Sequence, residues 1–492
     1  MRRAVAHLAT AAALAAVAAA APATRAAPPL TSGRLERASV SSSGGQGTAQ
    51  YGYADHPALS GNGRLLTFTS NDSGLTADCG LTARYGGLGY NVYARDLATG
   101  RTELVSADTH GCPTLEGSDA PVTSSVSRDG RFVAFTSCGQ LVPGFKPAGN
   151  TLAVYVRDRL RHRTIPVSVG YNGKPNNAYA QYPAISGNGR YVVFQSGASN
   201  LVPHDPLGHG DNLVQDVYVR DLTTGRTERV GSAHPRAHRF EKVNASISDD
   251  GRWITFQTAD AAIFDTTDYG PEWAFHRQFL NGEGFTQVFL YDRITKRTRM
   301  ISRSAEGWAA DNETTFSDFD RGGNRTLSGD GRYIVFQSKA NNLVPGDPTA
   351  AGRELQPDLT PDIYLYDRIA GTLRRVTTGL GGLPADQFSA NPAISANGRW
   401  ITYESAATNL GPIDLTPAVT NDSGRDVYLT DRTTGAHQLL SLSNDGVQAT
   451  LNAIEPTVSD DGSVVAFSSA APNLVPDDTN GIPDTFAWHR AA

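Results

Sequence analysis

Apolar residues along this chain come in short bursts separated by polar turns, and one pairing of bursts recurs in a fixed grammar. "SGNGRLLTFTS" from Ser60 is followed by "SRDGRFVAFTS", "SGNGRYVVFQS", "SDDGRWITFQT", "SGDGRYIVFQS", "SANGRWITYES" and "SDDGSVVAFSS". A brief apolar segment such as "HPALS", "YPAIS", "NPAIS" or "EPTVS" leads into each turn. The turns carry Asn62-Gly63, Asp129-Gly130, Asn188-Gly189, Asp250-Gly251, Asp330-Gly331, Asn397-Gly398 and Asp461-Gly462. Asn-Gly and Asp-Gly suit a type I′ turn, in which both central residues have positive φ, so two antiparallel strands are expected at every copy. The segment after the turn is apolar on both faces, as in "YVVFQS". That suits a strand covered on both sides.

A variable loop follows, then a third strand ("NVYARD", "DVYVRD", "QVFLYD", "DIYLYD", "DVYLTD"), a tight turn and a more polar fourth strand such as "RTERVG". Charged residues on an outer strand discourage unwanted pairing. Four antiparallel strands per repeat, ordered from the inside outwards, build a propeller blade. The turn glycines stand roughly 60 to 80 residues apart, longer than compact propeller repeats, and the excess falls in the connecting loops. The last copy ends at "DTFAWHRAA" without a fourth strand, whereas "TSGRLERASV" from Thr31 is close to "TTGRTERVG" from Thr223. The expected fold is therefore all-β: a seven-bladed β-propeller whose N-terminal strand closes the last blade, with six or eight blades as the alternatives. One domain spans 27–492.

The phrase in "PAISGNGRYVVFQS" from Pro183 resembles the repeats of TolB-like and WD-repeat-like β-propellers over nearly the whole chain after its leader. That resemblance implies the fold and leaves activity open, because one fold hosts many functions. TolB-like propellers commonly have six blades where seven are counted here, and there is no room for the N-terminal α/β domain of TolB.

Arg2 and Arg3, the apolar run from Ala9 to Ala21 and the small residues before Ala26 read as a secretory signal peptide over 1–26. An uncleaved anchor is the alternative; no later segment approaches the length of a membrane span. The expected location is secreted or periplasmic. Without Arg2, Arg3 and Arg25, 40 of the 43 basic side chains remain against 49 acidic ones, so the formal charge moves from −6 to −9. A nucleic-acid partner is not expected of such a balance. An oxidising compartment permits one disulfide among three cysteines. Cys79 and Cys112 form the expected pair, Cys112–Cys138 the alternative.

Candidate chemistry falls in the long loops, which leave one face of the propeller while the Asn-Gly and Asp-Gly turns leave the other. Acidic clusters include Asp205, Asp211 and Asp216; Asp347, Asp358 and Asp362; and Asp478, Asn480 and Asp484. The last set spaces oxygen ligands around Gly481 and suits Ca²⁺, with turn capping as the bland reading. His204, His209, His234, His238 and His276 crowd one region without a recognised metal spacing. Trp273, Phe275 and His276 lie in the largest insertion, which reads as a short helix covering the channel and presenting aromatics to a ligand or to the scaffold. The Asp of the recurrent "RD" or "DR" after the third strand reads as a turn-capping device because it repeats. No G-x-S-x-G, H-E-x-x-H, C-x-x-C or Walker loop is present. The expected function is a monomeric binding or scaffold module for a protein, peptide or glycan on the long-loop face. The alternative is a propeller enzyme such as a metal-assisted polysaccharide lyase with its site at the channel mouth.

Overall fold

A computed structural model describes residues 32–47, 54–72, 74–77, 79, 89–113, 122–147, 151–203, 215–231, 243–259, 285–317, 325–345, 360–411 and 424–491. They form seven four-stranded antiparallel sheets. Blade one runs outwards through Ala54–Leu59, Leu65–Ser70, Asn91–Asp96 and Arg101–Leu104. The inner strands of blades two to six are Ser124–Val126, Ala180–Ile185, Val243–Ile247, Thr314–Thr315 and Ser389–Ile394. Blade seven has Ala453–Val458, Val464–Ser469 and Asp484–Arg490, and its outer strand is Gly33–Arg37 from the other end of the chain. Gly33 faces Arg490 and Arg37 faces Phe486, which closes the ring.

The second strand of each blade is its core. All six residues of Leu65–Ser70, Tyr191–Ser196, Trp400–Ser405 and Val464–Ser469 are buried. On it an aromatic ring stacks against its cross-strand neighbour, as in Phe68–Tyr93, Phe194–Tyr218 and Phe336–Tyr364, with centroids 5.8 to 6.0 Å apart. Apolar side chains also join successive blades: Val92 and Ala94 of the first pack with Val133 and Phe135 of the second.

The hairpin turn differs from the type I′ expectation. Only the glycines have positive φ, from 67° at Gly63 to 76° at Gly251. Gly63 N–H donates to the Ser60 carbonyl, and Ser60 N–H to the Leu65 carbonyl, which makes a longer loop ending in a left-handed glycine. Ser60 holds it: its hydroxyl accepts from Leu65 N–H at 2.9 Å and donates to Asn62, whose side-chain oxygen accepts from Arg64 N–H. The same three bonds recur at Ser186, Ser248, Ser328 and Ser395. Two central residues in positive φ would leave the serine without this role.

The repeated Asp has a second partner. Asp292 caps the following turn through Ile294 N–H and also takes Arg252 of the hairpin side-on at 3.1 and 2.8 Å. Arg64–Asp96, Arg131–Asp158, Arg190–Asp221, Arg332–Asp367 and Arg399–Asp431 repeat the pair. These guanidiniums hold the Asp221 and Asp292 carboxyls down to about 2.

Candidate functional site

The two ends of the channel are built differently. On the turn face, the residue after the hairpin serine hydrogen-bonds around the whole ring. Asn62 N–H donates to Arg128, Arg128 to Gly187, Asn188 to Asp249, Asp249 to Gly329, Gly329 to Ala396, Asn397 to Asp460, and Asp460 to Gly61. Inside this ring Arg325 pairs with Asp249 and Asp460, and Arg128 reaches the same two carboxylates at 3.5 and 2.6 Å. A Cβ on Gly61, Gly187 or Gly329 would collide with those side chains. Two cations and two anions, packed where three neighbours have no side chain, close this end. The signal was visible in the repeat as the alternation Gly61, Arg128, Gly187, Asp249, Gly329.

The same face locks blade to blade. The ring of Trp253 has Arg252 over it at 4.7 Å and Arg368 of the next blade at 4.0 Å. Tyr191 lies likewise between Arg190 and Arg293, Tyr333 between Arg332 and Arg432, and Trp400 between Arg399 and Arg490. The next blade's turn glycine presses on the same ring, so Gly331 meets Trp253 and Gly398 meets Tyr333.

Towards the long-loop face, the inner strand carries a bulge. The register shifts between Asp55 and Ala58, Gln181 and Ala184, Val243 and Ser246, Ala390 and Ala393, and Ile454 and Thr457. The bulged residue is left-handed in each: His56 at φ 52°, Tyr182 at 51°, Asn244 at 54°, Asn391 at 51° and Glu455 at 58°. Proline follows four of them and has no N–H to pair, which explains why the break falls there. Neighbouring blades hold the bulges: Gln195 accepts Asn244 N–H at 3.2 Å, Gln337 accepts Asn391 N–H at 2.8 Å, and Glu455 accepts His56 N–H at 2.8 Å. His56 Nδ1 also lies 3.2 Å from Glu455. Asn391 bonds Ser317 and the buried Glu404, which faces Arg425 at 3.4 Å. Asn244 is buried, and neither atom of its side-chain amide has a hydrogen-bond partner among the described residues. Below these residues the channel is lined by Leu59, Val126, Ile185, Ile247 and Val458, and Arg325 crosses it.

Among the residues singled out from the sequence, Asp478, Asn480 and Asp484 come together at the seam between the last blade and the N-terminal strand. Arg37 lies 3.7 Å from Asp478 and 3.5 Å from Asp484, and Ser39 donates to Asp484. Burial pushes the Asp478 carboxyl up and the Asp484 carboxyl up to about 6, against the pull of Arg37. No three His, Cys, Asp or Glu among the described residues are placed to hold a metal. Cys79 and Cys112 are joined by a disulfide, with Cα atoms 5.8 Å apart, and Cys138 is a buried free thiol. His204, His209, His234, His238, Trp273, Phe275 and His276, together with Asp205, Asp211, Asp347 and Asp358, lie outside the described residues. No described helix is long and apolar enough to cross a membrane.

No protein family matches the chain, and no curated protein matches its sequence. Solved structures similar to it include the oligogalacturonate lyase of Vibrio parahaemolyticus, 13% identical with a TM-score of 0.47 over 94% of this chain and 98% of that one. The β-propeller domain of the Trilobed protease from Pyrococcus furiosus is 9% identical, with a TM-score of 0.47 over 89% and 95% of the two chains. TolB from Acinetobacter baumannii is 14% identical, with a TM-score of 0.37 over 82% and 76%. Likeness at this level carries nothing about activity or ligand.

Proposed function

We propose that this protein is an exported binding module that takes a protein, peptide or glycan at the long-loop mouth of its channel. The observation behind this reading is that the bulge repeats while its side chain does not: His56, Tyr182, Asn244, Asn391 and Glu455 occupy one backbone position in five blades. If the bulge served the scaffold alone, glycine or asparagine would be the inexpensive residue at positive φ, whereas tyrosine, histidine and glutamate cost more there. Left-handed residues held by their surroundings concentrate at binding and catalytic sites. Export is supported by the Arg-then-Ala/Leu leader and by the Cys79–Cys112 disulfide, which persists in an oxidising compartment.

The test is an array of peptides and glycans probed with the protein, with Tyr182→Gly/Asn244→Gly, and with Arg64→Ala on the turn face. A ligand bound by the parent and by Arg64→Ala, but lost by the double variant, supports the site. A ligand retained by the double variant moves recognition off the mouth.

A further inference from the structure

The seam that closes the ring holds one buried carboxylate more than the blade design compensates. The first residue of the third strand is an aspartate in four blades, and in blades three, five and seven an arginine of the outer strand faces it. Asp216 pairs with Arg229, Asp362 with Arg375 at 3.3 Å, and Asp484 with Arg37. In blade six Asp426 accepts from Ser441 and Gln448. Blade seven adds Asp478 to the same guanidinium. Its side chain is 1% exposed, its nearest cation is Arg37 at 3.7 Å, and neither carboxylate oxygen has a hydrogen-bond partner among the described residues. Arg37 is itself committed to Gln46 at 2.6 Å and to the Asp477 carbonyl at 3.1 Å, and its Nε is also left without a partner. Two buried carboxylates against one guanidinium leave a net negative charge, and a buried charge needs a counter-charge or coordination.

We propose that this seam binds one hard divalent cation of the Ca²⁺ class, coordinated by Asp478 and Asp484 with oxygen supplied by Asn480 and water. The donors are all oxygens, the choice of Ca²⁺ over softer metals. Asn480 sits at the seam, its amide nitrogen donating to the Gly47 carbonyl at 3.4 Å and its Oδ1 accepting from Ile482 N–H at the long distance of 3.4 Å. The cation would neutralise the second carboxylate where the loop 477–484 meets Arg37 of the N-terminal segment, so its binding favours the closed ring. With Arg37 close by, affinity belongs in the range of extracellular modules, roughly 10⁻⁴ to 10⁻³ M.

The experiment is calorimetric titration of the mature protein with CaCl₂, alongside melting in millimolar Ca²⁺ and in chelator. About one Ca²⁺ per chain and a melting temperature raised by roughly 1–3 °C are expected, because the ion binds the closed ring. Asp478→Asn abolishes binding and, without Ca²⁺, melts at or above the parent, since the uncompensated charge is gone. Asn480→Ala, which leaves both carboxylates in place, weakens binding about tenfold, and Asp426→Asn in the neighbouring blade leaves it unchanged. No stoichiometric binding, or binding that survives Asp478→Asn, overturns the proposal. If Asp478→Asn does not fold, an unchanged affinity in Asn480→Ala overturns it instead.

Discussion

The two ends of the channel use the same seven-fold repeat in opposite ways. Around the rim of the turn face both backbone and side chains repeat: serine, Asn or Asp and glycine return in all seven blades, arginine in six and an aromatic ring in five. The residue after the serine varies, supplying the Arg128, Asp249 and Asp460 charges at the centre. On the long-loop face only the backbone repeats. The bulge returns, but histidine, tyrosine, asparagine and glutamate take turns on it. A side chain that must meet an identical neighbour cannot vary, so repetition marks scaffold. A side chain that meets a ligand without seven-fold symmetry is free to vary, and the mouth has that freedom.

Both faces depend on closure, so the largest effect should come from removing it. A chain starting at Ser42 leaves Asp484–Arg490 without its outer neighbour and uncovers Trp488, buried beside Leu35. We expect the melting temperature to fall by roughly 10 °C or more. An unchanged transition would show that the ring does not need this strand.

Next in size is glycine on the two faces. Gly331, at φ 67°, presses on Trp253, whereas Gly307, at φ 89° in an inter-blade turn, has nothing within 4 Å. Gly331→Ala combines left-handed strain with overpacking and should cost about 3 kcal/mol; Gly307→Ala meets only the strain and should cost about 1 kcal/mol. Equal losses in denaturant unfolding would remove the inter-blade contact as the reason for the turn glycines.

A smaller effect separates the faces by pH. Asp221 and Asp292 titrate near 2 when folded, below the value near 4 of an unfolded chain. Their stabilisation is present above pH 4 and is lost as pH falls towards 2. Arg252→Ala should return Asp292 towards its ordinary value and flatten that part of the stability curve. A carboxyl resonance of Asp292 still titrating near 2 in the variant would assign the depression to the turn amides.

The smallest change in stability is expected at the mouth. Asn244→Gly relieves a side chain at positive φ and should alter stability by less than about 1 kcal/mol, of either sign, while removing the amide from the site. A loss of 3 kcal/mol or more would make Asn244 part of the scaffold, and the contrast between the faces would fail at that blade.

The repeat carried the architecture openly because its signals are local. Alternation, Asn-Gly and Asp-Gly turns and the strand-like "GRLER" at the N-terminus each lie within a few residues, and they predict blade number, strand order and closure. The proposed site is legible in a weaker form: His56, Tyr182, Asn391 and Glu455 are the residues before the proline in the apolar segments leading to the turns. Nothing local says that a residue before proline will be left-handed, since that position ordinarily favours extended backbone. What holds His56 and Asn391 so is the Glu455 or Gln337 side chain of an adjoining blade, as Gln195 holds Asn244, brought alongside only when the ring forms.

The same division applies throughout the molecule. Sequence by itself determined the elements and their order, because hydrogen-bonded hairpins and buried strands are specified by neighbouring residues. Tertiary structure alone decided that Arg368 covers Trp253, that Arg325 crosses the channel to Asp249 and Asp460, and that Arg37 stands between Asp478 and Asp484. These partners are 115, 76, 135, 441 and 447 positions apart in the order named. Only closing the ring brings such charges within reach of one another, and no local pattern records which will meet.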